Sequence, residues 1–328
     1  MATKQPLVCE IRSFADACRA FAQPEGRTQT ALHIRPMHWY VACRLVIEGG
    51  FDPANIKPRP PFRLERKGGG LFLHHDRSVA AGSEATVFGG LKTKDVDVVL
   101  SLDGIGPCVA VSMKGTLNAF RNLTNRLEEA VGDCTNLHIA YPALVYGFIS
   151  LLRANREGTI PKGGEGILKP DPRTGLVRQA DTALRASGEV TGFIDTYHNA
   201  MARLSGRKDL RNDFSRYEAV AILLISAEDV LPGAVVSSYP RADSILNFAS
   251  FFPSIYRHYD MRFVYGAPNL RTITRRHFWH PESPALTLPV MAEFNPRVSE
   301  SDKLSLDEQD DAENGDESSA PSDEQKSD

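Results

Sequence analysis

Between Lys94 and Cys134, two alternating apolar runs are joined by a turn-rich pentapeptide and followed at once by a run of helical period. That succession directs the chain to an α/β architecture, in which a β-hairpin passes into a helix that covers the sheet it has just left. In Lys94-Asp95-Val96-Asp97-Val98-Val99-Leu100, the side chains of Val96, Val98 and Leu100 share one face of a predicted strand, and Asp95 and Asp97 share the other. In Pro107-Cys108-Val109-Ala110-Val111-Ser112-Met113-Lys114, the apolar face is Val109, Val111 and Met113, which leaves Ser112 and Lys114 together on the opposite one. The linking Asp103-Gly104-Ile105-Gly106-Pro107 is made of turn residues, so the pattern predicts an antiparallel hairpin of two half-buried strands with Asp97 beside Lys114. From Thr116 onward, Phe120, Leu123, Leu127, Ala130, Val131 and Cys134 recur at helical spacing, while Arg121, Asn125 and Glu128 lie off the apolar stripe.

Acids and a lysine gathered at one end of a hairpin suit phosphodiester hydrolysis. That reaction calls for a hard divalent cation held by carboxylate oxygens, and a cationic group to hold the phosphate or the attacking water. Asp97, Ser112-Met113-Lys114 and a glutamate fourteen residues after the lysine, Glu128, form a pattern that resembles the PD-(D/E)xK nuclease superfamily. It is closest to the type IIF restriction-enzyme variant, in which serine precedes the lysine and the displaced glutamate stands on the following helix. The resemblance spans roughly residues 91–152. It implies a restriction-endonuclease-like mixed sheet flanked by helices and a Mg²⁺-dependent endonuclease acting on DNA, with Mn²⁺ as the substitute ion. It further implies metal ligation by Asp97 and Glu128, orientation of water by Lys114, a supporting hydrogen bond from Ser112, and a role in restriction or other defence against foreign DNA. Glu129 competes with Glu128 for the helix position, and helical geometry alone does not choose between them. Glu84, before a short predicted strand, and Glu48, at the end of a predicted helix, are further acids that either complete the metal shell or are structural. The serine at 112 also leaves open a catalytically silent nuclease fold that binds nucleic acid or serves as a subunit.

With 328 residues and 42% hydrophobic content, the chain has material for one large core, assigned to residues 1–297. No apolar segment follows Met1-Ala2-Thr3-Lys4, and the apolar stretch at residues 141–152 is too short to cross a bilayer, so a soluble cytoplasmic protein is expected. Five cysteines without a CxxC motif read as reduced core residues. The net charge of −3 conceals an asymmetry: residues 298–328 hold twelve acids and two lysines, net −10, which leaves +7 on the body. The tail is too polar to bury surface and is expected to be disordered, serving as a solubility tail, a competitor for the basic surface, or a contact for a homodimer or partner subunit. The basic body suits DNA, with contacts expected from Arg121, from Arg271, Arg275 and Arg276 beside Phe278 and Trp279, and from Lys67 with Arg63 and Arg66. The competing readings are a core position for Trp279 and a plain charged hairpin around Lys67.

Elsewhere, the pattern predicts helices at residues 13–22, 35–47, 190–204 and 242–259, and strands at 71–75, 85–88 and 217–226. The long helix is expected to break at Pro142 before a second apolar helix that runs to about Arg153, residues 55–61 form a Pro-rich connection, and 156–188 form a long loop or flap. No GxxxxGK[ST] phosphate loop and no GxSxG elbow occurs, and neither His33 with His38 nor His74 with His75 is spaced as a zinc clamp.

Overall fold

The fold is taken from a computed structural model that describes residues 8–24, 31–82, 84–161, 164–228 and 232–299. Its frame is a five-stranded mixed sheet in the order β1-β6-β7-β8-β9, formed by Ile56–Lys57 (β1), Val98–Leu102 (β6), Gly106–Thr116 (β7), Val145–Arg153 (β8) and Ala219–Ile225 (β9). β6 runs antiparallel to both β1 and β7, whereas β7, β8 and β9 are mutually parallel. Two antiparallel ribbons stand apart from the sheet: Phe62–Lys67 (β2) with Gly70–His75 (β3), and Ala85–Phe88 (β4) with Thr93–Val96 (β5).

Helices cover both faces. On one side lie Phe14–Ala22 (α1), Arg35–Ile47 (α2) and Phe248–Tyr259 (α5), whose Phe21, Met37, Val41, Phe251 and Ile255 pack with Val98, Leu100, Val109, Val111 and Ile149. On the other lie Leu123–Ala140 (α3) and Gly192–Leu204 (α4), whose Leu123, Leu137, Ile194 and Met201 pack with Val99, Ala110, Tyr146, Phe148 and Leu152. The short α6 (Arg271–Thr274) follows a π-helical turn at Asp260–Tyr265.

Double coverage corrects the expectation of half-buried strands. Val99 and Ala110 are as buried as their alternating neighbours, because each face of the sheet meets its own helical layer. It also corrects the second apolar helix: the run after Pro142 is β8, buried along its whole length. A central parallel strand reads as an unbroken apolar run, and such a run has no period to tell it from a buried helix. Gly147 suits this strand because a Cβ there would lie 2.6 Å from the Phe251 ring. α3 ends at Ala140, before Pro142, as a proline there requires.

The expected strand across residues 94–100 is two strands. β5 ends at Val96 and β6 begins at Val98, and the chain bends between them, so that Val96 packs in one core layer and Val98 in the other. Asp97 therefore sits on a bend and not within a regular strand. The Lys67 segment is a plain hairpin, closed by Gly68 and Gly69 at φ 56° and 78°, a conformation glycine adopts without strain. The Pro-rich connection contains the short β1, and the helix expected over 242–259 begins only at Phe248, capped by the Asn247 side chain. Residues 164–190 carry only a 3₁₀ turn and isolated bridges, and Asp181 reaches from there to accept the Ala119 N–H at 2.7 Å. All five cysteines are buried and free. No helix among the described residues is long and apolar enough to cross a membrane. Val298 bridges Trp279 and Ser299 is buried, and the rest of the tail lies outside the described residues.

Candidate metal centre

Asp97 occupies the point where the chain passes from the β4–β5 ribbon into the main sheet. The antiparallel ladder of β6 on β7 stops at Val98↔Val111, so the Met113 N–H has no strand partner, and the Asp97 Oδ2 accepts it at 2.6 Å. A backbone donor thus fixes the carboxylate. Within the ribbon the last pair is Ala85↔Val96, and one further step in that register sets Glu84 opposite Asp97. The ribbon is held against α3 by a 2.6 Å Lys94–Asp133 ion pair and by Asn136, whose side chain accepts the Leu91 and Lys92 N–H groups and donates to the Lys92 carbonyl.

The third group arrives from α2. His38 lies in its first turn, behind Pro36, in the buried stretch from Met37 to Cys43. Its side chain is 3% exposed, and Nε2 is 3.3 Å from the Asp97 Oδ1. Nε2 makes no hydrogen bond there. His38, Glu84 and Asp97 each offer a ligand atom, all within 4.8 Å of one another, graded from a buried imidazole through a half-buried aspartate to an exposed glutamate. Bonds of about 2.0–2.2 Å set neighbouring ligands about 3.0–3.5 Å apart and opposite ones about 4.4 Å apart. The 3.3 Å pair fits the first separation, and the 4.8 Å bound on the whole set lies close to the second. The donor set therefore fits a divalent cation.

Burial lowers the proton affinity of His38, and Arg35 and Lys114 add to that effect while Asp97 and Glu84 oppose it. The imidazole is neutral near neutral pH, the form that ligates metals. Lys114, half-buried on β7 beside Ser150 of β8, thus brings its charge to bear on the same centre.

The remaining expected site residues fall elsewhere. Ser112, expected to face the site, is 2% exposed and shares a 2.7 Å hydrogen bond with the Tyr146 hydroxyl, which burial keeps protonated well past its ordinary range. The face opposite the apolar one is itself a core layer, so Ser112 points inward to Tyr146. Glu128 is exposed on α3 and stands outside the ligand group; Glu129 is exposed too and pairs with Arg126 at 2.8 Å. Glu48 lies about 15 Å farther along α2 than His38, from the helical rise per residue. There it pairs with Arg44 at 2.7 Å and accepts the Asn295 N–H.

Among the expected DNA contacts, Arg121, Arg271 and Lys67 are exposed and Arg275 is half-buried. Arg276 is committed to Asp260 at 2.7 Å and lies over the Tyr256 ring. Trp279 is fully buried, with its indole N–H shared between the Val46 and Ile47 carbonyls, so the core reading of that residue holds.

His38 is the member that motif reading misses, because its partners lie in two other segments, far along the chain. The available signal is a histidine set within the largely apolar helical stretch at residues 37–43, a placement that needs a partner. The chain matches no protein-family model, no curated protein and no solved structure.

Proposed function

We propose that the chain is a divalent-metal-dependent phosphodiesterase that cleaves DNA, built on a restriction-endonuclease-like core. The observation that carries this reading is the convergence of His38, Glu84 and Asp97 from a helix, a loop and a strand junction, within the electrostatic reach of Lys114. A hairpin, a covering helix and a parallel return strand, here β6–β7, α3 and β8, provide the frame that the resemblance implies. A bound cation would polarise the scissile phosphate as a Lewis acid.

The chain's own groups have distinct tasks. Asp97, pinned by the Met113 N–H, and Glu84, exposed at the surface, would hold the cation between a rigid and an adjustable carboxylate. Lys114 steadies the negative charge that builds on phosphorus oxygens as water adds and the bond to a sugar oxygen breaks. Ser112 takes no part, since its hydroxyl is engaged with Tyr146. The +7 body draws a polyanion to the site, and binding weakens steeply as salt rises. A place in restriction of foreign DNA rests on resemblance alone.

The test is cleavage of supercoiled plasmid by the full chain with a divalent ion, alongside calorimetric metal titration. Lys114→Ala is expected to lower the cleavage rate about 100-fold or more while leaving metal affinity in place. Full activity in that variant ends the proposal. Two observations favour a second reading, a silent DNA-binding fold: position 112 carries no acid and Glu128 does not join the ligand group. Metal-independent DNA binding without cleavage would identify it.

A further inference from the structure

The resemblance implies an all-oxygen ligand set and Mg²⁺. The donor set of this chain is different, and the difference lies in one atom. His38 Nε2 is buried, makes no hydrogen bond, and lies 3.3 Å from the Asp97 Oδ1, at the separation of two neighbouring ligands on one ion. We propose that this centre selects a transition-metal ion of the Mn²⁺, Co²⁺ or Zn²⁺ class over Mg²⁺, with His38 Nε2 as a directly bound ligand; the inference rests on the metal reading above.

Two features make the nitrogen hard to avoid. α2 is buried on nearly all sides, with Met37, Trp39, Tyr40, Val41, Ala42 and Cys43 around it in the core, so the imidazole has no room to swing into solvent. Asp97 is held as firmly, by the Met113 N–H on its other oxygen. An ion bound to the Asp97 Oδ1 and to Glu84 therefore sits within bonding reach of Nε2. Mg²⁺ prefers oxygen, keeps several waters and gains little from an imidazole, whereas the later divalent ions bind it well. The nitrogen that a Mg²⁺ site would leave idle is the one that discriminates.

The experiment uses the full chain and two metals alone, without DNA. Calorimetry compares Mn²⁺ with Mg²⁺ on the wild type and on His38→Gln, and pulsed EPR on the Mn²⁺-loaded wild type looks for directly bound ¹⁴N. The EPR reading stands even where the buried substitution impairs folding. Expected are a Mn²⁺ affinity about tenfold or more above that for Mg²⁺, a strong nitrogen coupling, and loss of the preference in His38→Gln. Equal affinities, or bound Mn²⁺ without nitrogen coupling, overturn the selectivity and leave the phosphodiesterase reading standing. Binding of neither ion overturns both.

Discussion

Asp97 has two roles that substitution can separate. Its Oδ2 accepts the Met113 N–H at 2.6 Å, and Met113 is only 3% exposed, so Asp97→Ala leaves a buried donor without a partner. That loss costs about 1–3 kcal/mol, toward the upper end because the acceptor is charged. Asp97→Asn keeps an oxygen in the same place and removes the charge facing Glu84, so its metal-free stability stays within about 1 kcal/mol of the wild type. With an ion at 100 times its dissociation constant, the wild type gains about 2.7 kcal/mol by mass action, and both variants lose most of that gain. Urea unfolding of the full chain, in EDTA and in excess Mn²⁺, measures all of these differences. The reasoning is refuted if Asp97→Ala matches the wild type in EDTA, or if Asp97→Asn keeps the full metal-linked gain.

Glu84→Gln, an exposed change, is expected to lower metal affinity about tenfold or more, while Glu128→Gln stays near the wild type; calorimetry that ranks them the other way returns the site to α3. Glu218 is fully buried between Arg207 at 3.2 Å and Arg262 at 2.7 Å, and accepts the Tyr146 N–H. Burial alone would raise its carboxyl, but the His138 ring, Arg262 and the Tyr146 N–H outweigh that and hold it at about 2, below the ordinary 4.5. Its contribution is therefore complete above about pH 4.5 and is lost as pH falls toward 2, which a urea midpoint followed across that window would show. Glu218→Gln leaves two buried guanidinium groups without their counter-charge and is expected to cost about 3–5 kcal/mol near neutral pH, with a flatter acid profile, by the same unfolding measurement. Arg276→Ala is expected to lower stability through its bonds to Asp260 while leaving DNA affinity little changed, whereas Lys67→Ala reduces the salt slope of DNA binding by about 1 in a fluorescence titration.

Local signals carried much of the fold. The Asp103–Pro107 turn, the helical stripe after Phe120 and the β9 run all recur in the structure because each owes its form to neighbours in sequence. β8 differs from the helix expected there because burial on both faces erases the period that separates strand from helix. The bend at Asp97 was hidden for a related reason: alternation continues through residues 94–100 in the sequence, while the chain crosses from one core layer to the other. Of the candidate site, Asp97, Lys114 and Glu84 are visible as acids and a base near strand ends. Their companion His38 is not, since it meets them only through tertiary packing, and the pattern of β7 sets Ser112 on an open face because the α3–α4 layer that buries it leaves no mark on β7 itself.

The most direct measurement is anomalous diffraction from crystals of the full chain soaked in Mn²⁺. One peak is expected, within about 2.3 Å of His38 Nε2, an Asp97 oxygen and a Glu84 oxygen. A peak at Glu128 without His38, or no ordered ion at Asp97, would contradict the account.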